Sequence, residues 1–249
     1  MSDNGNKKKR LMTDFFGGGK TKKTKTSATV FLVCPGAGGV LPKDGTLEAQ
    51  LGRMGRVAVI PKSTGYNGRN GCVAGSNGSL NQNLQIVNDH IAQEAASSND
   101  DEIVLVGQSF GCRAIVHWIC GNHEVRTHPS IPVPWSDDAT PDNYQELRHK
   151  IQKVVFFGYP LDHAKQDRSA ALKLLPENVR ACFVIGTSDK LALGDKLNQE
   201  GIKETVESTL ATTQIIWVEK GGHGPPNEKT WTGMNLNKQL EDFLSAKAE

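Results

Sequence analysis

The sequence predicts an α/β protein with a compact, mostly parallel, doubly wound sheet carrying helices on both faces. Three observations lead there. Six short apolar runs rich in β-branched residues lack the polar alternation of a sheet with one wet face, so each reads as a strand buried on both sides. Segments with a single apolar stripe at helical spacing lie between them. Strand and helix alternate along the chain, which is the order that builds a parallel sheet through crossover helices.

Residues 1–27 are mostly Lys, Gly, Thr, Asn and Ser around one apolar island, Leu11-Met12 and Phe15-Phe16. Such a composition cannot bury enough surface to offset ordering entropy, so a disordered tail is expected there and a single folded domain from 28 to 249. Ala28–Val33 opens the domain as a strand, and Val57–Ile60 follows. Ser63–Gly78, crowded with Gly and Asn, reads as loop. In Leu80–Ala95 the residues Leu80, Leu84, Val87, Ile91 and Ala95 recur at spacings of three and four, which predicts a helix. Ile103–Val106 is the next strand and Phe110–Cys120 the next helix. Asn122–Asp142 holds Pro129, Pro132, Pro134 and Pro141 and reads as a surface excursion, a candidate lid. Strands at Lys153–Phe157, Ala181–Ile185 and Gln214–Val218 complete the sheet, with helices expected over Asp195–Leu210 and Trp231–Ala246. The last of these places Leu236, Leu240 and Phe243 on one side.

The 249 residues carry a formal charge of +2, unevenly spread. Residues 1–25 hold eight basic and two acidic side chains, a net of +6, which leaves −4 on the remainder. That asymmetry points to an interaction arm on a mildly acidic body. No apolar run reaches the length of a membrane span, and no apolar stretch follows the charged start, so neither a transmembrane helix nor a secretory signal is expected. The five cysteines are widely spaced with no C-x-x-C pair, which predicts free, mostly buried thiols and no metal site. No motif calls for a cofactor.

The sharpest chemical signal is Gly107-Gln108-Ser109-Phe110-Gly111, set between a strand and a helix. A serine on such a turn projects its hydroxyl at the sheet's edge, and the flanking glycines remove side chains that would collide across it. A serine nucleophile needs a base, and the base an orienting acid, in the chain order Ser, acid, His. His223 follows the last strand through Gly221-Gly222. Asp189 follows the strand Ala181–Ile185 and is preferred to Asp162, the alternative acid, which follows Lys153–Phe157. An oxyanion hole requires two backbone N–H groups, expected from Phe110 and from Ala37 in the glycine-rich loop after the first strand. His90 and His117 fall inside helical patterns and read as packed or surface residues.

The body resembles the α/β-hydrolase-like family that includes testis-expressed protein 30 and a related histone-acetyltransferase complex subunit. The resemblance rests on Pro35-Gly36-Ala37-Gly38-Gly39, Gly107 to Arg113, Gly158 to Gln166, Gly186-Thr187-Ser188-Asp189 and Trp217 to His223. It implies an α/β-hydrolase fold with little or no cap and a triad of Ser109, Asp189 and His223. Pro35 stands where that family has a histidine.

Lys9 to Phe16 resembles the short peptide that docks on the DNA sliding clamp, proliferating cell nuclear antigen. Met12, Phe15 and Phe16 match its three hydrophobic anchors, and Lys9 stands in place of its Gln. Lys7-Lys8-Lys9-Arg10 resembles a nuclear import signal, so a nuclear or nucleocytoplasmic location is expected, with at most nonspecific DNA contact through the tail. Two functions follow. One is a serine hydrolase acting on a small-molecule acyl substrate (an ester, thioester or amide). The other is a nuclear adaptor whose hydrolase-like body recruits partners without turnover.

Overall fold

The computed structural model describes residues 29–36, 41–60, 80–97, 101–121, 140–162, 168–194 and 197–246. Among them, six strands form one sheet: β1 (Thr29–Cys34), β2 (Arg56–Val59), β3 (Glu102–Gln108), β4 (Lys153–Phe157), β5 (Arg180–Gly186) and β6 (Thr212–Val218). Every pairing is parallel, and the spatial order is β2-β1-β3-β4-β5-β6. The tail, the loop Ser63–Gly78, Cys72 and nearly all of the candidate lid lie outside the described residues.

Alternate side chains along each strand build two cores. Leu32, Leu105, Phe156 and Phe183 point to one face, where they meet α2 (Leu80–Ser97), α3 (Phe110–Ile119), α4 (Tyr144–Lys150), α5 (Ser169–Leu172) and α6 (Gln199–Glu207). Phe31, Val104, Val155 and Cys182 point to the other, beneath α1 (Thr46–Leu51), α7 (Glu228–Gly233) and α8 (Leu236–Ser245). The strand order accounts for this division. The chain steps from β1 outward to β2, then reverses past β1 to β3 and continues to β6. Right-handed crossovers put α1 on one face and the helices of every later crossover on the other. Among the described residues no strand follows β6, and α7 and α8 fold back over the face that α1 alone leaves uncovered.

The expected strands and central helices are present, all-parallel rather than mostly so. Two helices differ in extent. The stretch expected as one helix from Trp231 is broken at Asn235, which adopts left-handed backbone angles (φ 51°, ψ 45°). Asn tolerates that conformation better than most residues. The first piece starts earlier, where the Asn227 side chain accepts from Thr230 N at 3.0 Å. Similarly, α6 begins at Gln199 because the Asn198 side chain caps it by accepting from Gly201 N at 2.9 Å. The short helices α1, α4 and α5 carry too few turns to show periodicity in sequence.

At the opposite end from the strand C-termini, Lys153 and Arg180 stand side by side in the register. They donate to the carbonyls of Leu244 and Ala246 at the end of α8, and Arg180 also stacks on Phe243. Two cations thus meet the negative end of the last helix and fasten it to the sheet.

The four described cysteines are buried, and none of them forms a disulfide. His117, only 4% exposed in α3, has a buried Nδ1 with no partner. Burial, and secondarily the Arg113 charge, push its pKa down to about 4. Unfolded, the same imidazole protonates near about 6.5. Between these values the unfolded chain binds a proton that the folded chain refuses, so this contribution is fully present above pH 6.5 and is lost as pH falls toward 4. Its size is about 3 kcal/mol. Urea unfolding at pH 7.5 and pH 4.5 is expected to show a smaller stability loss in His117→Leu than in the wild type, by about that amount; equal losses in the two proteins would refute the assignment.

Candidate active site

Ser109 sits where β3 passes into α3, with φ 52° and ψ −115°. A non-glycine residue in this region costs about 1–3 kcal/mol, so the surrounding contacts must hold it there. Its amide donates to the Phe157 carbonyl at 2.9 Å, and its own carbonyl accepts from Cys112 N at 3.1 Å. The turn is tight on both sides. A Cβ at Gly111 would stand 2.0 Å from the Cys34 carbonyl oxygen, and one at Gly107 would stand 2.6 Å from the Cys112 Cα. These two glycines let the start of α3 lie against the end of β1 and turn the serine hydroxyl outward.

Asp189 and His223 come from the neighbouring strand ends, β5 and β6. The two loops are joined by backbone bonds: Thr187 N donates to Val218 O at 2.9 Å and Ser188 N to Gly221 O at 2.8 Å. Lys220 N adds a bond to the Thr187 hydroxyl at 2.8 Å. Asp189 is fully buried, and one carboxylate oxygen accepts from Leu191 N at 2.9 Å and Ala192 N at 3.3 Å. Both of its oxygens face His223 Nδ1, at 2.9 and 3.0 Å. His223 Nε2 lies 2.7 Å from Ser109 Oγ. An ionised carboxylate only accepts, so Nδ1 carries the proton and Nε2 is left as the acceptor for the serine hydroxyl. The imidazole is about a quarter exposed. The arrangement can take a proton from Ser109 on one side while a buried anion stabilises the resulting imidazolium on the other.

The alternative acid, Asp162, does not occupy this position. It follows β4, with its amide on the Leu191 carbonyl at 2.9 Å and its carboxylate packed against Gly194. Phe110 is the first residue of α3, so its amide has no acceptor within the helix. Ala37 lies outside the described residues, as do Met12, Phe15 and Phe16. Its neighbour Gly36 runs beside the serine, where an added Cβ would stand 3.4 Å from the Ser109 Cβ. Cys112 is the thiol nearest the turn in sequence, but burial raises its pKa well above the usual range and holds it protonated.

Two neighbours were not singled out in the sequence. Gly158 (φ 61°) ends β4 against this site, where a Cβ would stand 2.6 Å from Gly224 N and 3.2 Å from His223 Nδ1. Its signal was available: a glycine at the end of a strand, as Gly186 is at the end of β5. Gln108 lies between Gly107 and Ser109 with its Oε1 buried and unpaired, and its amide nitrogen is next to Gly224. Nothing in the pattern distinguishes that side chain from an exposed one. Among the described residues no cluster of His, Cys, Asp and Glu converges to hold a metal, and no helix is long and apolar enough to cross a membrane.

The family described as Alpha/beta hydrolase domain matches residues 77–249, more than half of the chain. The chain belongs to that family. This alpha/beta hydrolase is similar in structure to an uncharacterized protein from Bacillus cereus ATCC 10987, with a TM-score of 0.56 at 12% identity. That match covers 94% of this chain and 64% of the other, so the chain spans less than two thirds of that protein's length. It is also similar to a dienelactone hydrolase from Anabaena variabilis ATCC 29413 (TM-score 0.54, 11% identity, 90% and 89% of the two chains). A carboxylesterase from Bacillus cereus gives a TM-score of 0.50 at 14% identity, over 85% and 88%. At these identities the likeness is one of fold. No curated protein sequence matches the chain.

The turn geometry makes a direct prediction. Gly111→Ala is expected to destabilise this alpha/beta hydrolase by about 1–3 kcal/mol or more, because its methyl meets backbone that cannot yield. Gly233→Ala, with open space around the new Cβ, is expected to stay within about 1 kcal/mol of the wild type. Urea titrations of both variants decide it, and equal stabilities would show that the close approach is not limiting.

Proposed function

We propose that the protein is a serine hydrolase that cleaves a small ester, thioester or amide through an acyl-enzyme. The observation that carries this reading is the unbroken line from Ser109 Oγ through the His223 imidazole to the buried Asp189 carboxylate, at 2.7 and 2.9 Å.

In this mechanism Ser109 Oγ attacks the substrate carbonyl while its proton passes to His223 Nε2. The carbonyl electrons move onto oxygen, which is received by the Phe110 amide and by an amide of the loop after β1, with Ala37 the proposed second donor. Collapse of the tetrahedral intermediate breaks the bond to the leaving group, which takes the proton from His223. Water then repeats the sequence: it gives a proton to His223, attacks the acyl carbon, and releases the acid as Ser109 recovers its proton. Asp189 stays ionised throughout and holds the imidazole in the tautomer that leaves Nε2 basic.

A fluorophosphonate probe is expected to label the wild type covalently and to leave Ser109→Ala unlabelled. Asp189→Asn is expected to lower kcat on an activated ester by about four orders of magnitude, because the wrong tautomer is favoured. Absence of labelling in the wild type, or labelling that survives Ser109→Ala, removes this function.

The basic tail motivates a compatible second role, in which the hydrolase body is carried as an adaptor in the nucleus. The Met12, Phe15 and Phe16 anchors would dock on the sliding clamp, with Lys9 in the Gln position weakening the contact. Each buried anchor contributes about 1.5–3 kcal/mol, and ordering the segment costs about 2–5 kcal/mol. Micromolar or weaker binding is expected by fluorescence anisotropy of a peptide spanning 5–20, and Phe15→Ala with Phe16→Ala should abolish it. No measurable binding of the wild-type peptide rejects the docking role and leaves the hydrolase untouched.

A further inference from the structure

Two arginines, tied to the residue after Ser109 and to the segment after β4, have no carboxylate partner among the described residues. Arg113 lies one turn into α3, and its guanidinium carbon sits 5.0 Å above the Phe110 ring. Long side chains on a helix lean toward its N-terminus, so this stacking carries the charge back toward Ser109. Arg168 directly precedes α5. Its Nη1 donates to the Pro160 carbonyl at 3.0 Å, and the Tyr159 hydroxyl donates to the carbonyl of Arg168 itself at 3.3 Å. Tyr159 and Pro160 belong to the segment leaving Gly158, the glycine that abuts His223. Arg113 is therefore stacked on the residue after Ser109, and Arg168 is fastened to the segment that leaves Gly158.

Among the described residues the charges are poorly compensated. Burial, and then repulsion from Arg113, push the Arg168 pKa down to about 10. Burial lowers that of Arg113 as well, although Tyr159 acts the other way. The Tyr159 phenol is itself driven up by burial and stays neutral. Among the described residues no carboxylate forms an ion pair with either guanidinium. The Nε of Arg168 is buried with no acceptor, and so is Nδ1 of His117, one turn beyond Arg113 on the same face of α3. A purely structural role for Arg168, as a staple on the Pro160 carbonyl, uses one nitrogen and leaves this donor unpaired. Half-buried cations of like sign are costly unless an anion joins them. The planar forks of two guanidinia suit a compact oxyanion.

We propose that Arg113 and Arg168 form an anion subsite beside Ser109, which takes a carboxylate or phosphate group carried by the substrate. The identity of the molecule bearing that anion rests on the hydrolase reading above, whereas the anion binding itself does not.

Calorimetric titration of the full chain with glutarate, and separately with inorganic phosphate, tests the binding. Saturable binding of at least one is expected, and the tighter of the two identifies the anion. Arg113→Gln and Arg168→Gln should each weaken it at least tenfold, while the corresponding Lys variants, which keep the charge, should lose less. Circular dichroism melts of all four variants confirm that the fold persists. In turnover, the mono-4-nitrophenyl ester of glutarate should exceed 4-nitrophenyl butyrate in kcat/KM at least tenfold in the wild type, and the Gln variants should lose that preference. The absence of binding by either anion, binding untouched by both Gln substitutions, or equal kcat/KM for the two esters each overturns the subsite. Anion binding through the arginines in a protein that no fluorophosphonate labels would instead overturn the hydrolase function and leave the binding site standing.

Discussion

Because a Cβ at Gly111 would overlap the carbonyls of Cys34 and Pro35, the first turn of α3 can press directly against the end of β1. The rest of the site depends on this contact. It brings Gly36, at the start of the loop after β1, alongside Ser109. It also fixes the steep turn that gives Ser109 its positive φ. The position is not arbitrary within the sheet. β1 and β3 are the pair at which strand order reverses, and their crossovers leave in opposite directions on opposite faces. In open α/β sheets such a reversal is where a crevice forms at the carboxyl end of the strands. The serine turn follows the carboxyl end of β3, one of that pair.

The histidine and aspartate reach the same edge by a different device. All six strands are parallel, so every strand end faces the same way, and β5 and β6 deliver Asp189 and His223 without any long excursion. Their loops are joined by main-chain bonds from Thr187 to Val218 and from Ser188 to Gly221, and a Cβ at Gly186 would stand 2.2 Å from the Gly221 carbonyl oxygen. The imidazole is thus positioned by backbone, and the carboxylate beneath it by two amides of its own loop. Such a scaffold can hold a proton-transfer line to a few tenths of an ångström, a precision that flexible side chains alone do not provide.

Most of this was legible in the sequence, for identifiable reasons. The strands carry near-continuous apolar runs because helices cover both faces. The serine turn carries its two glycines because nothing larger fits. Asp189 and His223 could be named because each follows a strand, although Asp162 met the same criterion. Only the three-dimensional pairing separates them: β5 and β6 are neighbours with interlocked loops, whereas the segment after β4 turns aside toward Leu191 and Gly194. The break at Asn235 was illegible because Leu236, Leu240 and Phe243 all lie beyond it, and their apolar spacing does not show where the helix they belong to begins. The unpaired Gln108 oxygen and the two uncompensated arginines were hidden for another reason. Burial of a polar side chain is set by what packs over it, and residues distant in sequence do that packing.

The charges near the site follow opposite rules. Asp189 is a fully buried anion, yet it accepts from two backbone amides and faces an imidazole, so its burial is compensated and its role is to hold one geometry. Arg113 and Arg168 are less deeply buried, yet among the described residues they have a ring, a carbonyl and a neutral phenol beside them rather than a carboxylate. Stability alone favours removing such a pair, since an apolar side chain of similar volume would fill the space without the repulsion. The strained serine is likewise unfavourable for folding and is explained by what its hydroxyl can do. Both features belong to the start of α3: Ser109 directly precedes it, and Arg113 stacks on the ring of Phe110, its first residue. Local sacrifices of stability that cluster in this way mark the part of a molecule shaped by a ligand rather than by folding.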